Sequence, residues 1–173
     1  MAVTRLNHAV LYVRDAQRSA EFYADALGFR VITELPGAAF MQAPQSTNDH
    51  DLGLFSVGAG AAESGAGTGN VGLYHLAWEV DTLDELERLS GVLTSMGSLV
   101  GASDHGTTKS LYAKDVDGIE FEVAWVVPAS LLDDEALSNR SARPRPLDIA
   151  KEKDRYGAAT PGGIGISMPV AAG

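Results

Sequence analysis

The chain has 173 residues, of which 45% are hydrophobic, enough to bury a real core as one compact unit or as two small halves sharing an interface. Its formal net charge of −10 argues against nonspecific nucleic-acid binding, which requires cations to neutralise phosphates, and no apolar run is long enough to cross a bilayer. Zero cysteines remove disulfides, thiolate nucleophiles and thiolate metal sites, so a transition metal would have to be held by imidazole and carboxylate, and there are only four histidines.

In chain order, residues 6–13 read as a strand, with Ala9, Leu11 and Val13 on one face and His8, Val10 and Tyr12 on the other. Asp15 offers an N-cap to a helix over Ser19–Leu27, striped by Phe22, Tyr23, Ala26 and Leu27, and Gly28 is placed to end it. Strands are expected at 29–33 and 38–42, separated by a Pro36-Gly37 turn, and at 50–57 after a polar loop. Residues 58–72, rich in glycine and alanine, read as a flexible connector.

The pattern then starts again. His75 begins a strand in which Leu76, Trp78 and Val80 alternate onto an apolar face, leaving His75, Ala77 and Glu79 opposite. Thr82 and Glu85 form a capping-box signature, and Leu83, Leu86, Leu89, Leu93 and Met96 stripe a helix closed by Gly97. Strands follow at 99–103, 110–114 and 119–126, the last with Phe121, Val123 and Trp125 in its apolar row and Glu120, Glu122 and Ala124 opposite. The expected fold is α+β: two βαβββ modules at an offset of 67 residues, read from His8 to His75, whose curved open sheets would turn equivalent faces to a shared cleft. Beyond Pro128 the periodicity fades to a short acidic helix over 130–137. Six of the thirteen basic residues (Arg140, Arg143, Arg145, Lys151, Lys153 and Arg155) fall in this tail, where a solvated face is the expectation.

A single strand histidine is ordinarily a half-buried packing residue, and a single glutamate near a strand end is ordinarily solvated. His8, His75 and Glu122 together are different, because a repeat puts the two imidazoles at equivalent points on the non-core face. Two imidazoles and a carboxylate with open positions match the facial arrangement of non-haem Fe(II) oxygenases, and Mn(II), Ni(II) or Zn(II) can take the same ligands.

The run Asn7-His8-Ala9-Val10-Leu11-Tyr12-Val13-Arg14-Asp15, the repeat at Tyr74-His75-Leu76, and Asp115-Val116-Asp117-Gly118 followed by Glu122 resemble the vicinal oxygen chelate superfamily, which includes glyoxalase I, fosfomycin and bleomycin resistance proteins, methylmalonyl-CoA epimerase and type I extradiol dioxygenases. The resemblance covers residues 5–127. It implies modules at 5–58 and 72–127 forming an incomplete barrel-like curved sheet around a metal-binding cleft, in a domain of residues 1–128 followed by a partly irregular extension, 129–173. Within the superfamily, His50 in His50-Asp51-Leu52 resembles the second-sphere acid/base histidine of extradiol dioxygenases. Asp104-His105-Gly106 with Ser110-Leu111-Tyr112 resembles the segment that carries their further histidine and tyrosine. Loop positions for His50 and His105 are the plainer reading of each residue taken singly.

The pattern also departs from relatives. Glyoxalase I has a fourth ligand, a glutamate from the last strand of its first half, where this chain has Leu52-Gly53-Leu54-Phe55; His50 is an alternative occupant of that role. Val116 stands where the family commonly has proline. The implied function is an Fe(II)-dependent extradiol ring-cleavage dioxygenase acting on a catechol-type diol and O2, with His8, His75 and Glu122 on the metal, His50 as acid/base, Tyr112 and His105 as hydrogen-bond donors, and Val10, Phe40 and Leu54 as cavity walls. The alternatives are a glyoxalase-like lyase or isomerase, with Glu120 or Glu79 as proton carrier, and a non-catalytic drug-binding protein of the bleomycin-resistance type. A cytoplasmic location is expected, because no signal-peptide core is visible at the amino terminus; members of the superfamily often close their cleft within a chain or across a dimer, the glycine-rich connector permits either, and a homodimer is the expectation.

Overall fold

The computed structural model describes residues 3, 5–67, 69–140 and 143–163. The chain divides into two compact units, Met1–Gly72 with Asp115–Ile119, and Leu73–Lys114 with Glu120–Gly173.

Unit 1 contains β1 (Ala9–Val13), α1 (Ala16–Leu27), β2 (Arg30–Leu35), β3 (Ala38–Gln42) and β4 (Leu52–Ser56). The sheet order is β1-β4-β3-β2, with β1 parallel to β4 and the other pairs antiparallel. The alternation read from the sequence is realised in β1: Leu11 and Val13 are buried, whereas Val10 and Tyr12 are exposed. Asp15 caps α1 by accepting hydrogen bonds from the Gln17 and Arg18 N–H groups, so the helix begins at Ala16, three residues before the expected start at Ser19. Gly28 ends it at φ 73°, a left-handed conformation that glycine reaches without a Cβ clash. The turn Asp115–Ile119 packs with this unit. Tyr23 donates its hydroxyl to the buried Asp115, and the Arg14 N–H and guanidinium both donate to Asp117. Burial pushes the Tyr23 hydroxyl well up, and Asp115 beside it adds to the shift.

Unit 2 repeats the order of elements. It contains β5 (Leu76–Glu79), α2 (Leu83–Ser95), β6 (Leu99–Asp104), β7 (Thr108–Lys114), β8 (Glu120–Val126), a 3-10 turn (Ala129–Leu131), α3 (Asp134–Asn139), β9 (Arg145–Pro146) and α4 (Ile149–Tyr156). Its sheet order, β5-β8-β7-β6-β9, reproduces that of unit 1 with one strand added at the edge. The duplication reaches the irregularities: the β2/β3 register shifts between Val31 and Thr33, and the β6/β7 register shifts between Leu99 and Gly101. Only half of the predicted capping box forms. Thr82 accepts the Glu85 N–H, but the Glu85 carboxylate is taken by Arg88 one turn on.

The extension differs most from expectation. The acidic helix runs over Asp134–Asn139 after the 3-10 turn, and α4 and β9 were not foreseen. Of the six basic residues, Arg140, Arg143, Arg145 and Lys151 are exposed as expected, but Arg145, Lys153 and Arg155 are tied to carboxylates. Lys153 pairs with Asp84 and Glu87 on α2, Arg155 with Asp133 and Glu135, and Arg145 with Glu135. The Trp125 indole, fully buried, donates to the Thr160 carbonyl, and the Gly162 N–H donates to the Asp81 carbonyl. Residues 164–173 of the predicted extension lie outside the described residues.

Candidate metal centre

In unit 2, His75 stands one residue before β5, and the parallel β5/β8 register places Ala77 opposite Glu122. Phe121 and Val123 point into the core, so Glu122 between them projects from the other face. His75 Nε2 lies 3.1 Å from Glu122 Oε2, both side chains being partly buried. Two ligands held about 2.1 Å from one ion and about 90° apart stand about 3.0 Å from each other. The pair therefore fits two adjacent coordination positions, with the nitrogen and oxygen donors that a borderline divalent metal accepts. His75 Nδ1 is buried without a hydrogen-bond partner, which leaves the ring orientation to Glu122 and to Tyr74, 4.8 Å away between ring centroids.

Tyr112 lies directly across the ladder from Glu122, with its ring centroid 5.9 Å from that of His75. Its hydroxyl is hydrogen-bonded to His105 Nε2 at 2.8 Å. Burial, and then the nearby Glu122 carboxylate, hold the Tyr112 hydroxyl above its ordinary range, so it stays protonated and able to donate. The Tyr74 hydroxyl is raised as well, first by its hydrogen bond to Glu120.

In unit 1, His8 stands one residue before β1, the same place that His75 occupies before β5. His50 and Asp51 enter β4, and the His8 and His50 rings lie 4.5 Å apart. Each ring is engaged at Nδ1, His8 with Asn7 Oδ1 at 2.8 Å and His50 with Asp49 Oδ2 at 2.9 Å. An acceptor at Nδ1 puts the ring proton there and turns the Nε2 lone pair outward, the arrangement that metal-ligating and proton-accepting histidines share. The loop that carries His50 is organised by Asp51, which the sequence reading passed over. Its carboxylate, 8% exposed, accepts from the Ala43 N–H, the Ser46 hydroxyl and the Asn48 amide, and Asn48 also donates to the Asn7 carbonyl beside His8.

The register also answers the question of a fourth carboxylate. β1 pairs Val10 with Gly53 as β5 pairs Ala77 with Glu122, so Gly53 is the unit 1 counterpart of Glu122. A side chain built there would meet Val10 and Phe40, which line the same face. Leu54, expected among the cavity walls, pairs with Leu11 and is fully buried, so its side chain belongs to the core beneath α1. At the other end of this sheet a cavity of about 590 Å³ opens between Arg14, Gln17, Glu34 and Ser56, away from both histidines. Within each unit taken alone, no three His, Asp or Glu side chains gather to hold a metal among the described residues. Of the expected ligands, His8 belongs to unit 1, and His75 and Glu122 belong to unit 2.

Residues 5–123 match the Glyoxalase/Bleomycin resistance protein/Dioxygenase superfamily. The chain belongs to this superfamily. Among characterised members, it is 35% identical over 121 residues to biphenyl-2,3-diol 1,2-dioxygenase 3 of Rhodococcus globerulus, an alignment covering 68% of this chain and 62% of that one. It is 30% identical over 98 residues to metapyrocatechase 2 of Cupriavidus necator, covering 56% of this chain and 27% of the relative. It thus spans less than two thirds of the length of either. Among solved structures, a glyoxylase/bleomycin resistance protein/dioxygenase domain from Frankia sp. EAN1pec superposes with a TM-score of 0.59 at 20% identity, covering 71% of this chain and 98% of that one. This likeness establishes the fold, a mixed α+β arrangement of two open sheets. No helix among the described residues is long and apolar enough to cross a membrane.

Membership places the match over both modules and leaves residues 124–173 outside it. Four of the six site residues expected of this superfamily member fall in unit 2 or pair within it, and the other two pair with each other in unit 1: His75 with Glu122, His105 with Tyr112, His8 with His50. Asp51 escaped the sequence reading because a carboxylate that bonds its own loop leaves no periodic signal; the clue available was its place amid Ser46, Asn48 and Asp49, a composition typical of Asx-type turns.

Proposed function

We propose that this superfamily member is an Fe(II)-dependent extradiol ring-cleavage dioxygenase acting on a catechol-type diol and O2, with His8, His75 and Glu122 as the metal ligands. The observation that carries the reading is the 3.1 Å approach of His75 Nε2 to Glu122 Oε2, flanked by the His105–Tyr112 hydrogen bond. The names of the two relatives, both acting on aromatic diols or called metapyrocatechase, support the same substrate class. Bound Fe(II) supplies a centre at which a diol and O2 can be held together and exchange electron density.

The remaining steps belong to the protein's own groups. His50, its Nδ1 held by Asp49, accepts a diol proton at Nε2 and returns it when the ring opens. Tyr112, kept protonated by burial and by Glu122, donates its hydroxyl to a substrate oxygen, and His105 fixes the direction of that hydroxyl. Val10 and the Phe40 ring, which packs edge-on to His50 at 5.2 Å, supply the apolar wall an aromatic ring stacks against. Glycine at position 53 counts against the four-ligand glyoxalase-type lyase, because the carboxylate such a centre needs has no counterpart on that strand. The exposed apolar side chains of the edge strand β2, Val31, Ile32 and Leu35, favour a homodimer, which the mass in solution checks.

The test is reconstitution of protein purified without oxygen with Fe(II), Mn(II), Ni(II) or Zn(II), followed by a panel of catechols. The expected result is one O2 consumed per diol with Fe(II), and metal affinity reduced more than about 100-fold by Glu122→Gln. Turnover of a hemithioacetal with Ni(II) or Zn(II) and no oxygen uptake would establish the lyase instead, and failure to retain any metal would leave a binding protein.

A further inference from the structure

α3, β9 and α4 lie beyond the span matched to the superfamily, yet within unit 2 they meet one short stretch, Ser103 to Lys109, which holds the end of β6, the turn His105 to Thr107 and the start of β7, at three separate points. The first is α3. Gly106 sits at φ +80° so close beneath it that a Cβ would stand 2.3 Å from the Ala136 carbonyl oxygen and 2.8 Å from Asn139 Cβ. The second is β9, whose Arg145 and Pro146 pair with Asp104 and Ser103 at the end of β6. The third is α4, whose Glu152 Oε2 lies 2.9 Å from Lys109 Nζ, in the geometry of an ion pair rather than an aligned hydrogen bond.

Lys109 is fully buried and is also paired with Asp104, its direct neighbour across the β6/β7 ladder. Asp104 in turn accepts the Gly106 N–H at 2.8 Å. Burial alone would raise the Asp104 carboxyl, but Lys109 and the Gly106 N–H outweigh it and hold the group below its ordinary range. A chain of contacts thus runs from α4 through an ammonium and a carboxylate to the backbone of the turn. On that turn sits His105, with its N–H bonded to the Thr108 carbonyl and its Nε2 bonded to Tyr112. Docking of α4 does not require this link, since Lys153 already ties the helix to Asp84 and Glu87 on α2. A buried charge cluster is also a poor way to gain stability, because apolar groups of similar volume serve as well or better. Its distinct effect is to fix one backbone segment in one place.

We propose that α3, β9 and α4 form a positioning element for the candidate active site, in which Glu152, acting through Lys109 and Asp104, sets the turn that aims His105 at Tyr112. The proposal rests on the reading of His105 and Tyr112 as active-site groups. Glu152, Lys109 and Asp104 are positioning residues, since none reaches the proposed metal ligands.

The test uses the full chain carrying Glu152→Ala or the isosteric Glu152→Gln, each also combined with His105→Asn. In metal-free protein, nitrogen-15 NMR of the His105 ring is expected to show one tautomer in the parent chain and exchange-averaged signals in Glu152→Ala. Glu152→Gln, which keeps the side chain's size and an oxygen beside Lys109 but removes the charge, falls between and covers the case in which the alanine variant does not fold. With Fe(II) and a catechol, kcat is expected to fall about 10-fold in Glu152→Ala with KM little changed, and not to fall further when the change is added to His105→Asn. Unchanged His105 signals in the Glu152 variants, or losses that multiply with His105→Asn, would overturn the proposal. The NMR measurement needs no turnover, so a parent chain that cleaves no diol refutes the dioxygenase while the placement of His105 is still read.

Discussion

At the scale of single residues, the groups that orient the candidate site differ from the groups that would do its chemistry. His8, His50 and His75 are each turned by a neighbour that is an amide, a carboxylate or a proposed ligand, so their ring directions are set locally. Asp51 matters most among these supports, because three donors from residues 43–48 converge on its buried carboxylate. Replacing it by alanine leaves a half-buried backbone N–H and two side-chain donors without their acceptor. Asp51→Ala is therefore expected to destabilise unit 1 by about 2–3 kcal/mol, read as a lowered urea midpoint, and to broaden the NMR signals of the His50 ring. Asp49→Ala, which changes only an exposed partner, is expected to leave the midpoint nearly unchanged.

At the scale of elements, α1 and α2 are bounded by chemistry that a reader of the sequence can see, and they start where side-chain oxygens meet free N–H groups. Asp15 serves two N–H groups of α1, whereas Thr82 serves one of α2, with Glu85 drawn away to Arg88. Asp15→Ala is expected to cost about 1 kcal/mol, and Thr82→Ala no more than that, by thermal unfolding. The strands are governed by alternation, which places Val10, Gly53 and Phe40 on one face of the first sheet and Leu11 and Leu54 on the other. A shift of one residue reverses that assignment, which is why Leu54 was placed on the wrong face: the run Leu52-Gly53-Leu54-Phe55 is apolar on both sides of the glycine and does not declare its register.

At the scale of the whole molecule, each unit holds a buried tyrosine whose hydroxyl resists ionisation. In unit 1 burial and Asp115 raise Tyr23; in unit 2 burial pushes Tyr156 up to about 12. An unfolded tyrosine titrates near pH ~10. A group whose folded pKa lies above its unfolded value contributes stability that is complete below the unfolded value and disappears as pH rises through the folded one. Thermal stability is accordingly expected to hold to about pH 10 and to fall between about pH 10 and 12. Tyr156→Phe is expected to flatten the decline in melting temperature followed by circular dichroism over that range, and an unchanged decline would assign it to other groups.

The sequence by itself determined the α+β class, the doubled βαβββ order, both helix caps and the superfamily, because alternation, capping and a 67-residue repeat are written in residue type and spacing. It also made His8, His75 and Glu122 candidates, the histidines because a repeat marks equivalent positions without any coordinates, and Glu122 because alternation puts it on the face opposite Phe121 and Val123. Only the tertiary structure decided what the extension does. Of the residues in α4, Glu152 and Tyr156 are the buried ones, so the helix carries no apolar stripe, and a lysine in a strand reads as solvent-facing until its partners are found. Glu152 lies far along the chain from Lys109 and Asp104, and Lys109 meets each carboxylate through charge, an interaction that depends on distance in space and leaves no period along the chain.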